Sequence, residues 1–548
     1  MVFCDYGERG AVMKDMNIYI DQAGYRPNGA KLAVLPFAAE SFAVCDTDGN
    51  AVYGGKTLHF GFDEASGDDV YTADFSDFSE CGTYRIEADE KHSSMFKIAD
   101  DVYAPVCRDL LRAFYYLRCG CGLDEKYAGE YAHAPCHTEP AVEWEDHSVS
   151  KDICGGWHDA GDYGRYVTAG ACALAHMLYG YKLFPKAFDG IKSNIPDGSY
   201  KMPDLLTECR VELEWIMKMQ RADGGVYHKA TTAHHAPFIM PEEDRAQMYL
   251  LPVSSSATAD ASAVLALGAS VYRPFDAEFA DRLSAAAQKS YEWLENNPDF
   301  LFVNPKECTT GVYGEHDDTD NRFWAAAEMF SLTGREKYCR DAEHLAEKDF
   351  PKTALGYSET GGFGALAYIF AKREGRNEKL LVSLKNGFVR RAEELKGYSD
   401  KCGYGTALLP QHYGWGSNMG VLVSGMIFVI ADILCDSGRY KNYAAAQLDY
   451  ILGKNALGIS YVSGTGEHSI NNPHFRPAFA DGVDKCHEGM VSGGPNCHPC
   501  DSAAEKLIPK GTPPMKCFAD DTGCFSLNEI TIYWNSPAVF LAAYLNMQ

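Results

Sequence analysis

The apolar residues of this chain change period once, near residue 100, and that change limits what it can fold into more than any other feature. Residues 17–98 alternate in short runs. "NIYIDQAGY" and "KLAVLPF" flank the turn "RPNG", "SFAVCDTDGNAVYGG" reads as a hairpin about Asp-Gly-Asn, and "TYRIEAD" and "SSMFKIAD" add two strands. Short strands with regular turns specify a small β-sandwich over 17–100. After "ADDVYAPV" the apolar spacing becomes helical, from "CRDLLRAFYYLRC" through "ATADASAVLALGASVY" and "NMGVLVSGMIFVIADIL" to "YKNYAAAQLDYILG". About a dozen such segments, several ending in Gly or Asn, predict a helical toroid over 101–548 whose loops gather at one end.

A chain of 548 residues exceeds one ordinary core, in keeping with two units. Its net charge of −26 argues against nucleic acid or an anionic membrane as partner, because phosphates would be repelled. Nowhere do eighteen apolar residues run without interruption, so no membrane span is expected. "MVFCDYGERGAVMKDM" lacks the apolar core of a signal peptide, so the chain as written is expected in the cytoplasm, and secreted only if an export signal has been removed. Nineteen scattered cysteines, an odd number, fit reduced thiols and metal ligands better than a disulfide framework.

Two segments carry candidate chemistry. "GGWHDAGDYGRY" (155–166) holds Asp159 and Asp162 three residues apart among glycines, and "FADDTGCFSLNEITIYWNSPAVF" (518–540) holds Glu529 just before an apolar stretch. "DAGD" alone also fits a turn closed by side-chain-to-backbone bonds, and a lone Glu near a helix start is ordinarily a surface residue favoured by the helix dipole.

Together these segments resemble glycoside hydrolase family 9. "GGW" followed by "DAGD" is one hallmark. Phe518, Asp520, Phe525, Glu529, Thr531, Asn535 and Ser536 fall at the spacings of the C-terminal signature. "SYVSGTGEHSINNPHFR" (460–476) is similar to the substrate-binding signature, departing from it at His468. "YILGKNALG", "PDLLTECR", "DGGVYHK" and "HYGWGSNMG" extend the likeness, and "IYIDQAGYRPNG" resembles the immunoglobulin-like module that precedes one subgroup. The resemblance implies an immunoglobulin-like β-sandwich followed by an all-α (α/α)6 barrel, and inverting hydrolysis of β-1,4-glucosidic bonds. Inversion needs a base and an acid on opposite faces of the sugar, their carboxyls roughly 6.5–9.5 Å apart to admit water. By resemblance Asp162 is the base, Asp159 helps to hold the water, and Glu529 is the acid, with Phe525, Tyr533 and Trp534 expected to keep it dry and protonated. Trp415, His474 and Arg476 are expected to line the subsite at the cleavage point, with Tyr227 and His228 as further cleft candidates; for Trp415 the alternative is a core tryptophan.

Zinc asks for four nitrogen or sulfur ligands, and Cys119, Cys136, His137 and His158 supply two thiolates and two imidazoles. The residues leave Cys121 open as a competing ligand, and free loop cysteines or a Cys119–Cys136 disulfide as alternatives to a metal. The subgroup's similar "RCG…CH…GGWHDAGD" arrangement implies a structural zinc with Cys119 as ligand. A second cluster, Cys486, His487, Cys497, His498 and Cys500, is read as a loop with incidental thiols. "YGEHDDTDNRFW", with Asp317, Asp318 and Asp320, is the candidate for calcium, a solvated acidic loop being the alternative.

The expected partner is therefore a β-linked gluco-oligosaccharide, in cello-oligosaccharides or soluble β-glucans, with no nucleic acid, membrane or obligate protein partner evident. The alternatives are an exo-acting β-glucosidase or β-glucosaminidase of the same fold, an inactive carbohydrate-binding relative, and a hydrolase with a catalytic zinc. Three carboxylates speak against the second, and four candidate zinc ligands against the third.

Overall fold

The computed structural model describes residues 18–196 and 201–547. Its N-terminal part is a sandwich of two sheets. One runs Gly24–Tyr25, Phe96–Ile98, Gly82–Ala88, Ser41–Cys45, Ala51–Lys56, with Lys91–His92 paired to the third strand; the other runs Leu32–Leu35, Asp68–Asp74, Leu58–Asp63. Leu35, Phe42, Val44, Phe75, Ile86 and Phe96 fill the space between them. The expected hairpin at Asp-Gly-Asn is present, with Ser41 opposite Lys56. The second hairpin, Leu58–Asp63 with Asp68–Asp74, was not expected from the sequence. Leu58, Phe60 and Phe62 on its outer strand are exposed, so the apolar pattern there does not mark a buried face.

Among the described residues twelve long helices follow, and they alternate in character. Val167–Leu183, Ser255–Tyr272, Thr319–Thr333, Gly361–Phe370, Ser417–Cys435 and Ile532–Met547 are buried on nearly all sides. Tyr103–Tyr116, Asp204–Met219, Ala277–Asn296, Glu336–Ala346, Glu378–Ser399 and Lys441–Ile451 bury one face. A helix apolar all round must be enclosed and a one-sided helix must face water. The alternation therefore places six inner helices within six outer ones, an (α/α)6 barrel. Small residues let the inner ring close: a Cβ on Gly425 would meet Leu541 at 2.5 Å. Ser417–Cys435 is, by length and mean hydropathy alone, apolar enough to cross a bilayer, although polar residues interrupt its apolar run. Most of it is buried among the barrel helices, as the core helix of a barrel should be.

The helical region also holds a five-stranded sheet that the sequence did not announce: Ser150–Lys151, Ala141–Glu143, Tyr249–Leu250, Lys229–Thr231, Arg165–Tyr166. Its last strand leaves the "DAGD" loop directly. The sandwich and barrel meet through Gln22, whose amide nitrogen donates to the Gly458 carbonyl at 3.0 Å and whose oxygen accepts from the His468 amide at 2.9 Å. His468, where the family signature is broken, thus serves the junction through its backbone.

Candidate active site

The loop 155–164 is anchored from below. The Trp157 amide donates to Glu212 at 2.8 Å and its indole nitrogen to Glu208 at 2.9 Å, both on the helix Asp204–Met219. Arg165, fully buried, reaches back to the carbonyls of Ile153 and Gly155. A Cβ on Gly156 (φ +75°) would strike the Trp215 ring at 2.7 Å, so only glycine admits this approach.

Backbone bonds then tie three distant segments into one platform. Ile532 donates to the Asp159 carbonyl at 2.8 Å, His474 to that of Asn528 at 2.8 Å, and Arg476 to that of Gly161 at 3.2 Å. The Arg476 guanidinium adds bonds to the carbonyls of Gly161 (2.7 Å) and Ala236 (2.8 Å). Gly161 lies so close to His474 that a Cβ would stand 2.0 Å from the His474 carbonyl oxygen. The two aspartates and Glu529 are thereby held by the same small framework, though far apart in sequence.

Asp162 and Glu529 open on one cleft of about 550 Å³, whose lining also includes His235, Tyr313, Trp415 and Tyr533, while Asp159 lies buried behind it. His235 Nδ1 is 3.1 Å from Asp162 Oδ2, and the Gly164 amide donates to the same oxygen at 3.0 Å. Burial works against a charge on Asp162, but the hydrogen bond and charge of His235, the Arg476 guanidinium and the Gly164 amide outweigh it and hold the carboxyl at about 2. Glu529 receives the opposite treatment. Burial and the nearby charges of Asp162 and Asp159 push its carboxyl well above the ordinary range, with Arg476 and a hydrogen bond from the Gly161 backbone pulling only partly back. Asp159 is buried and accepts a 2.5 Å bond from the Tyr313 hydroxyl. Tyr313 sits in the left-handed region (φ +49°), which a bulky residue adopts only where its surroundings insist. His228 is one such constraint: its Nε2 lies 3.1 Å from the Tyr313 carbonyl.

The other site candidates are placed as follows. Trp415 is 52% exposed and lines the cleft, so it is no core residue. Tyr533 and Trp534 stand beside Glu529 in the wall, while Phe525 packs between Trp415 and His474. His474 is half-buried, with Nδ1 2.7 Å from the Thr522 carbonyl. Arg476 is buried beneath the wall rather than in it. Tyr227 and His228 are not at the cleft: Tyr227 bonds Glu143, and His228 is buried against Ser254 and Phe302. His235 and Tyr313 escaped the sequence reading. Neighbouring histidines in "TTAHHAPF" were the available signal for the first; nothing local marks the second.

Beside the loop 155–164, Cys119, Cys136, His137 and His158 bring one ligand atom each within 4.8 Å of one another, nearly all out of solvent. The His158 Nε2 is buried with no hydrogen-bond partner, and His137 turns its Nε2 to Asp244 Oδ2 at 3.4 Å while its Nδ1 faces Cys119 Sγ at 3.7 Å. A carboxylate behind a ligating histidine is the arrangement that fixes such a ring on a metal. The donor set therefore fits a closed tetrahedral ion. Cys121 lies outside the quartet. In the second cluster His487 stacks on Tyr131 at 4.0 Å and Cys497 donates to the Tyr413 carbonyl. In the acidic loop Asp317 is exposed, Asp318 pairs with Arg322 at 3.0 Å, and Asp320 accepts from the Thr360 amide.

Residues 103–542 match the glycosyl hydrolase family 9 model, and residues 14–93 that of the cellulase N-terminal ig-like domain. The chain belongs to glycosyl hydrolase family 9. It is 45% identical over 542 residues to a cellodextrinase of Butyrivibrio fibrisolvens, covering 95% of this chain and 98% of the relative. Among solved structures, that of AaCel9A in complex with cellobiose-like isofagomine superposes with a TM-score of 0.92 at 33% identity, covering 97% of this chain and all of that one. A Zn-binding triple mutant of the family 9 endoglucanase J30 gives 0.90 at 32% identity over 95% of this chain and 99% of that one. The chain is thus a glycoside hydrolase with an immunoglobulin-like module before a family 9 barrel.

Proposed function

We propose that this glycoside hydrolase cleaves β-1,4-glucosidic bonds of cello-oligosaccharides and soluble β-glucans with inversion, Asp162 acting as base and Glu529 as acid. The observation that carries the reading is the opposite electrostatic treatment of two carboxyls in one cleft. Asp162, held ionised, can take a proton from water as it attacks the anomeric carbon; Glu529, held protonated, can deliver one to the departing oxygen. Asp159, fixed by Tyr313, accepts a second hydrogen bond from that water and limits its line of approach. Trp415 offers an exposed ring for the apolar face of a sugar. The cellodextrinase relative supports oligosaccharides as substrates.

The Cys119, Cys136, His137 and His158 quartet is read as a structural zinc site, supported by its donor set, by the partnerless His158 nitrogen and by Asp244. It would tie the 119–137 loop to the one bearing Asp162 without touching sugar. For calcium at 313–324, Asp318 alone of Asp317, Asp318 and Asp320 keeps a buried, partnerless carboxylate oxygen.

Glu529→Gln tests the acid. The variant is expected to keep its melting temperature and to lose about 10²- to 10⁴-fold in kcat on cellopentaose. Turnover at the wild-type rate would remove Glu529 from the role.

A further inference from the structure

Lys229 is fully buried. Its ammonium donates to the Gly311 carbonyl at 2.6 Å, the Thr310 carbonyl at 3.3 Å and the Thr310 hydroxyl at 3.1 Å. These acceptors are all neutral. Burial works against the charge and pushes the ammonium's pKa down, with Cys308 and Asp162 pulling only part of the way back. Taking an ammonium out of water without a bonded anion costs stability that an apolar side chain would not, so its place here calls for a function.

The function lies in what the lysine grips. The strand Lys229–Thr231 pairs along one edge with Arg165–Tyr166, the strand that leaves the two aspartates, and Tyr166 stands opposite Lys229. From the same strand and its flanks, further bonds reach the segment 309–313. The Thr231 hydroxyl meets that of Thr310 at 2.9 Å, His228 Nε2 lies 3.1 Å from the Tyr313 carbonyl, and the Thr309 amide donates to the Ala233 carbonyl at 2.8 Å. The Tyr166 ring packs on that of Tyr313 at 4.4 Å. One short strand therefore sets both partners of the Tyr313–Asp159 bond, the aspartate through its backbone pairing and the tyrosine through Lys229 and His228.

We infer that Lys229 is a positioning residue for the hydrolytic water: by holding the carbonyls of Thr310 and Gly311 it aims the Tyr313 hydroxyl at Asp159, and so fixes the carboxylate that orients the water. The inference rests on the hydrolytic reading of the cleft. Lys229 does not line that cleft and exchanges no proton with the substrate. Its effect is on alignment, where a displacement of about 1 Å can cost about 10²-fold.

The test is a double-mutant cycle on cellopentaose with Lys229→Met and Tyr313→Phe. Alone, Lys229→Met is expected to lower kcat by roughly tenfold to a hundredfold, with KM within about twofold of wild type. In the Tyr313→Phe background, where no hydroxyl is left to aim, the same change is expected to cost no more than about twofold. Thr310→Ala removes one acceptor and leaves the ammonium in place, so it carries the same test should Lys229→Met not fold. It is expected to show a smaller loss alone and none in the Tyr313→Phe background. Equal losses in both backgrounds would make the lysine structural only and overturn the inference, as would an unchanged kcat in the folded single variant. Wild-type enzyme inactive on cellopentaose would instead overturn the hydrolytic reading, and the inference with it.

Discussion

Asp162 and Glu529 carry the same functional group into one cleft, and their neighbours drive them apart. Asp162 is surrounded by donors and positive charge; Glu529 has burial and two aspartates against it. Since a base works ionised and an acid protonated, activity should rise as pH passes the low value of Asp162 and fall as pH climbs through the raised value of Glu529. His235 supplies the main opposition to burial at Asp162. Replacing it by alanine removes a hydrogen bond and a charge, so the acidic limb of the kcat/KM profile is expected to move upward by about one pH unit while the alkaline limb stays. An unmoved acidic limb would show that His235 does not hold Asp162 ionised. The sequence announced both carboxyls because "DAGD" and the residues around Glu529 sit at specific spacings. It could not announce His235 or Tyr313, whose roles exist only once the strand Lys229–Thr231 and the loop before Thr319–Thr333 are folded against the aspartates.

At the scale of elements, most of the C-terminal signature turns out to be scaffolding. Asn535 accepts from the Val491 amide and donates to the carbonyls of Leu110 and Gly489, Ser536 meets His176 at 2.8 Å, and Asp520 accepts from the amides of Asn471 and Asn472. These bonds keep the Glu529 segment in register with the 460–476 loop. The helix Glu378–Ser399, the longest of the twelve, is the faintest in the sequence, because its buried positions Leu381, Leu384, Phe388, Ala392 and Leu395 are diluted by charged and polar residues. The inner helices were easy to read for the opposite reason. The Cys/His quartet belongs to this scale as well, since it joins two loops rather than building a helix. Purified protein is expected to carry one zinc per chain. Removing it, by chelation or by Cys136→Ser, should lower the melting temperature by at least about 5 °C, while Cys154→Ser, outside the quartet, should change nothing. Identical melting with and without chelator would dispose of the structural metal.

Over the whole molecule, the change of period near residue 100 becomes the change from sandwich to barrel, and the two parts are joined by specific bonds rather than by apposition alone. Asp63 accepts from the Gly403 amide at 2.8 Å, Lys516 pairs with Asp68 at 2.5 Å, and glycines at 453 and 466 leave room for Gln22. Every residue of the proposed chemistry lies on the barrel side. There, the loops that precede two neighbouring inner helices, Val167–Leu183 and Ile532–Met547, converge on a single cleft, and in the proposed mechanism a water on Asp162 and a proton on Glu529 approach one bond from two directions. Attack from one face with departure from the other inverts the anomeric carbon. Proton NMR of cellopentaose during its first turnovers reads this directly: new reducing ends should appear as the α-anomer before mutarotation mixes them. First-formed β-anomer would contradict the assignment of Asp162 and Glu529 as an inverting pair.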